Sequence, residues 1–163
     1  MAQRAQSVAL QLQAPKPPLA FDPAGQAKLS NWKPQRDSGS PFFSNNSSGG
    51  QPGRYLGIGA SGGLGYGSWR TTVLLQAGDY QFVAKARTQG LELGPGVTRG
   101  GITLRMSGER AAHMITDAVS WKTLSYDFKM PALAEVELVC EFRGSSGQVT
   151  FDADSLRLVR KQP

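Results

Sequence analysis

The chain of 163 residues holds one cysteine and one histidine. A single thiol, Cys140, rules out an intrachain disulfide, and its apolar neighbours at alternate positions point to a small buried side chain. His113 stands without the cysteine or serine partners that a metal or nucleophile site requires, so a structural role is expected. No stretch approaches the roughly 20 apolar residues of a membrane span. The N-terminus lacks the charged-then-apolar layout of a signal peptide. Aromatic residues make up only 9% of the chain, and no run of four basic residues occurs. Nucleic acid is therefore not an expected partner.

What the chain does have is glycine and proline, 20 and 10 residues, in a length suited to one domain with a proper core. That composition favours many short strands joined by turns over helices. The formal charge of +6, from 18 basic and 12 acidic side chains, would assist approach to an anionic polymer.

Residues 1–18, which end in Pro-Lys-Pro-Pro, read as an N-terminal tail or linker, and 19–160 as the domain. Such a linker suits a module of a longer exported chain, placed outside the cell or at its surface. Leu19–Asp22 is expected as a first short strand. Residues 33–53, crowded with Pro, Ser and Gly around Phe42 and Phe43, are expected to be a long loop. Arg54–Ala60 reads as a strand running into a glycine-rich loop at 57–67. A strand follows that loop where a phosphate-cradling loop would need a helix.

From Trp69 onward, apolar and polar residues alternate. Tyr80, Phe82, Ala84 and Ala86 form one set; Ile102, Leu104 and Met106 another; Leu124, Tyr126, Phe128 and Met130 a third; Val136, Leu138, Cys140 and Phe142 a fourth. In the last segment Val149 and Phe151 place the apolar side on odd numbers, whereas Leu156 and Leu158 place it on even ones. One extra residue must be absorbed between them, most simply by a β-bulge at 152–155. The predicted class is all-β, an antiparallel sandwich or barrel.

The succession Gly65-Tyr66-Gly67-Ser68-Trp69, Leu75-Gln76-Ala77-Gly78-Asp79-Tyr80, Gly101-Ile102-Thr103-Leu104-Arg105, Trp121-Lys122-Thr123-Leu124-Ser125-Tyr126 and Phe151-Asp152-Ala153-Asp154-Ser155-Leu156 resembles the jelly-roll carbohydrate-binding modules, galactose-binding-like β-sandwiches. The likeness covers roughly residues 54–160 and rests on order and spacing. It implies a jelly-roll sandwich that binds sugar on a concave sheet face or at loop tips, and one structural calcium ion. A final-strand aspartate is a frequent calcium ligand in that family, which points to Asp152 or Asp154, with Asp22 as a loose partner near the start of the domain.

Trp121 falls on the polar parity of its strand, with Thr123, Ser125 and Asp127, where an indole could stack on a pyranose. The competing expectation is that the strand end turns it inward, as most tryptophans are. Lys85, Arg87, Thr103, Arg105, Ser125 and Asp127 also carry the polar parity. They would line one basic groove if their strands shared a face; an ordinary solvated face is the alternative. Trp32, Tyr55, Tyr66 and Trp69, with Phe42 and Phe43, could include a second aromatic platform at the loop end; Trp69 shares the core alternation, and Tyr66, flanked by glycines, is the better exposed candidate. Asp152 and Asp154 would offer a cation two carboxylates of the six to eight oxygens calcium takes, or simply bond a turn. Glu135, Glu137 and Glu141 share one strand face and no catalytic motif, so an enzyme is not expected. The expected function is a non-catalytic module of a larger exported bacterial protein that binds polysaccharide. The alternative is a structural or adhesive module that contacts another protein.

Overall fold

The structure is a computed structural model that describes residues 16–45, 54–95, 100–109 and 114–161. Residues 1–15 of the expected tail, 46–53 of the expected loop and His113 lie outside the described residues. Among the described residues eleven strands run in chain order: β1 Gln26–Lys28, β2 Lys33–Gly39, β3 Phe42–Asn45, β4 Tyr55–Ala60, β5 Gly65–Leu75 and β6 Gly78–Glu92 come first. They are followed by β7 Gly101–Met106, β8 Lys122–Met130, β9 Ala134–Gly144, β10 Ser146–Asp152 and β11 Arg157–Arg160. These strands form two antiparallel sheets. The smaller has the order β2-β5-β9-β7. In the larger, the long β6 is the spine: β8 pairs along one edge, and β10-β4-β3 and β11-β1 share the other.

The core lies between the sheets and is built from the expected alternations. Phe82, Ala84 and Ala86 are fully buried, as are Leu138, Cys140 and Phe142, and Leu124, Phe128 and Met130 join them. Trp69 is also core, its indole N–H donating to the Gly57 carbonyl at 3.0 Å. The phase change in the last segment is real: Val149, Phe151, Leu156 and Leu158 are all buried. The device is larger than a one-residue bulge. Phe151 pairs with Ala86 and Arg157 with Val83, so six steps along the last segment match three along β6, and three residues are extra. They are taken up by a 3₁₀ turn, Ala153–Ser155. Any odd insertion shifts the parity of a strand, so alternation alone signalled the slip without its size.

Three expectations fail here. Leu19–Asp22 forms no strand; Leu19 N–H donates to the Leu74 carbonyl at 2.8 Å, and Asp22 accepts the Gln26 amide at 2.9 Å in the turn entering β1. The stretch 33–53 is not one long loop, because β2 and β3 occupy 33–39 and 42–45. Both are edge strands, where Pro34 removes no ladder bond that the sheet needs and polar side chains are tolerated. The adjacent Phe42 and Phe43 serve the two faces: Phe43 meets Trp69 edge-on at 5.8 Å, while Phe42 lies over Gly59 on the outer surface and stays exposed. The glycine-rich 57–67 stretch is likewise mostly strand, with only residues 61–64 connecting β4 to β5.

Candidate sugar-binding face

Parity assigns the candidate residues to two opposite surfaces. On the larger sheet, Lys85 and Arg87 of β6 and Ser125 and Asp127 of β8 point away from the buried Ala84, Ala86, Leu124 and Phe128. On the smaller sheet, Tyr66, Thr103 and Arg105 point away from Trp69, Ile102 and Leu104. The single basic groove expected from all of them does not form, because β6 and β8 belong to one sheet and β5 and β7 to the other.

The surface of the smaller sheet is a closed polar lattice. The Arg105 guanidinium grips Glu141 with two bonds of 3.1 Å, and the Tyr66 hydroxyl donates to the same carboxylate. Arg143 lies over the Tyr66 ring, 5.4 Å from its centre. Arg70 reaches Asp37 at 3.2 Å and Glu137 at 2.8 Å, and Ser68 donates to Asp37. Glu141 is only 2% exposed. Burial pushes its carboxyl up to about 7, with the Asp37 charge adding to the shift and Arg143 opposing it. A carboxyl raised this far can mark an active site, but here it is packed beneath its partners. Tyr66 is half-buried and committed through its hydroxyl. A concavity of about 890 Å³ borders this face near Trp32; of the charged residues that line it, Lys16, Lys33, Arg70 and Glu137, the last two are paired with each other.

The surface of the larger sheet is different. Trp121 is 41% exposed, so the strand end does not turn it inward. Its ring lies against Tyr55, with centroids 6.1 Å apart and planes at 21°, and the Arg87 guanidinium sits 4.9 Å from its centre. Beside this cluster is a pocket of about 240 Å³ lined by Ser44, Tyr55, Gly57, Arg87 and Thr150. The lack of a side chain at Gly57 lets the Ser44 hydroxyl pack over the strand, where a Cβ would collide with it. Thr150 is the register partner of both Gly57 and Arg87, and Asp152 is that of Tyr55. A second pocket of about 360 Å³, lined by Arg87, Thr88, Gln89, Gly90 and Val119, lies beyond the guanidinium. Exposed rings, a guanidinium and hydroxyls around a shallow groove offer apolar contact to a sugar's C–H face and hydrogen bonds to its oxygens.

Of the sequence candidates, Trp121 and Arg87 meet here, with Lys85 two residues along the same strand. Asp127 is farther down β8, bonded to Lys161 at 3.2 Å. Arg105 and Tyr66 are on the opposite surface. Sequence reasoning named Tyr55 only among the members of a second aromatic platform and passed over Thr150, although the alternation of Leu56, Ile58 and Ala60 gives Tyr55 the outward parity.

The three aspartates put forward for calcium do not gather. Asp22 bonds the turn before β1, Asp152 accepts the Asp154 amide at 3.0 Å, and Asp154 takes the Lys28 ammonium at 2.9 Å. Among the described residues no three His, Cys, Asp or Glu side chains come together as a metal centre. An ammonium on one carboxylate and amides on the others leave a poor donor set for a divalent cation.

No protein-family model matches the chain, and no curated protein does. Solved structures do. The chain is similar to TmCBM61 in complex with β-1,4-galactotriose, at 15% identity and a TM-score of 0.53, over 82% of this chain and 91% of that one. It also matches the carbohydrate-binding module CBM6cm-2 of Cellvibrio mixtus lichenase 5A in complex with cellotriose, at 15% identity and a TM-score of 0.44, over 78% and 91%. The fold is the jelly-roll β-sandwich of carbohydrate-binding modules.

Proposed function

We propose that the chain is a non-catalytic carbohydrate-binding module of a larger exported protein, and that it holds a glycan on the outer face of the larger sheet. The observation that carries this is Trp121: a large apolar ring kept outward on a polar sheet face, supported by Tyr55 and Arg87. The part of the indole left open to water offers a stacking surface to the C–H face of a pyranose. Thr150, Ser44 and Arg87 supply hydrogen bonds at the ring's edge. The non-catalytic part of the proposal is supported by three carboxylates of the smaller sheet, Asp37, Glu137 and Glu141, each bonded to an arginine. The likeness to TmCBM61, whose structure holds a galactotriose, is in keeping with this function.

The deciding experiment is affinity electrophoresis of the purified chain against a panel of polysaccharides, with Trp121→Ala beside the parent. Retardation that the substitution abolishes, with an unchanged thermal midpoint, is the expected result. A panel on which the folded parent migrates freely would sink the proposal and favour the adhesive, protein-binding alternative.

A further inference from the structure

Arg87 and Lys85 differ from the arginines bound into the polar lattice of the smaller sheet. On the smaller sheet Arg70 and Arg105 are each locked to carboxylates, Arg70 to two of them. On the larger sheet Arg87 and Lys85 are exposed, and among the described residues neither enters an ion pair. The two are neighbours, since residues two apart on a strand share a face and stand about 7 Å apart. Arg87 is also oriented: the Trp121 ring supports its guanidinium at 4.9 Å. It forms a wall of both pockets, the one on the Tyr55 side and the one on the Val119 side.

A guanidinium held by an aromatic ring presents its N–H fork with less loss of side-chain freedom than a free arginine would. That fork matches two oxygens of a carboxylate or sulfate better than it matches separate sugar hydroxyls.

We infer that the glycan this face selects is acidic, carrying a carboxylate or sulfate that Arg87 reads with help from Lys85. This inference rests on the proposed sugar-binding role and narrows it to a ligand class.

Titration calorimetry of the full chain against polygalacturonate, a sulfated galactan and an uncharged galactan tests it, with Arg87→Gln and Arg36→Gln beside the parent. The expected result is tighter binding of at least one acidic polymer than of the uncharged one. Arg87→Gln should weaken the acidic polymer about tenfold and leave the uncharged one nearly unchanged. Arg36, an exposed cation on β2 of the other sheet, should be dispensable. The two acidic polymers separate uronate from sulfate as the source of the anion. Equal or tighter binding of the uncharged galactan overturns the acidic selection while leaving sugar binding intact. Binding of none of the three overturns the sugar-binding role itself. An equal loss from Arg36→Gln and Arg87→Gln overturns the inference in favour of diffuse charge attraction.

Discussion

Trp121 and Tyr55 lie with ring centroids 6.1 Å apart although two strands, β6 and β10, separate β4, which carries Tyr55, from β8, which Trp121 immediately precedes. Strands are spaced about 4.8 Å apart, so an indole on the β8 side can meet a phenol on β4 only by lying across the sheet. It crosses Arg87, and the contact turns two isolated aromatic residues into one supported surface over the Thr150 pocket.

The register irregularity between Ser146 and Gln148 at the start of β10 gives a sharp test of the fold. Gly147 has φ +86°, and a Cβ there would fall 2.3 Å from the backbone of Gly90. Gly62 has a similar φ of +73°, with nothing within 4 Å. Gly62→Ala should cost about 1 kcal/mol, from backbone strain alone. Gly147→Ala should cost more, about 2 kcal/mol or above, because the collision is with main chain that cannot step aside. Urea denaturation midpoints of the two variants check the difference.

Glu141 predicts a pH dependence of stability. Its folded-state value, about 7, stands above the ordinary 4.5, so between those two pH values the folded chain holds a proton that the unfolded chain has released. The associated stability is complete below about 4.5 and is lost as pH rises through about 7. Glu141→Gln removes the titrating group and should flatten the profile across that window. Denaturation curves from pH 4 to 8 provide the comparison, and a slope unchanged in the variant would assign it to other groups.

The aspartates predict indifference to chelation. Asp154 already carries the Lys28 ammonium, and hydrogen bonding to that lysine, ahead of its charge, holds the carboxyl below its usual range. Thermal melts with EDTA and with added calcium should superimpose. A midpoint raised by calcium would show a cation site that Asp22, Asp152 and Asp154 do not build by themselves.

The strands that face the core on one side and water on the other were legible because burial imposes a period of two. That holds for Leu124, Phe128 and Met130, and for Val136, Leu138, Cys140 and Phe142. Edge strands β2 and β3 were not legible: their ladder is satisfied on one side only, so Lys33, Pro34, Gln35 and Arg36 can form strand without an apolar face. The same alternation that marked Trp121 as outward also marked Tyr55. Nothing in the sequence says that the two meet, because that depends on strand order.

By itself, then, the sequence determined an all-β sandwich, its core residues and the phase slip before Leu156, since each follows from which side chains must leave water. Tertiary structure alone decided that Arg87 and Arg105 lie on opposite surfaces, that Lys28 claims Asp154, and that Trp121 reaches Tyr55. Those facts follow from which strands become neighbours across a sheet, and pairing between distant segments is set by the packing of the whole core and leaves no local periodic trace.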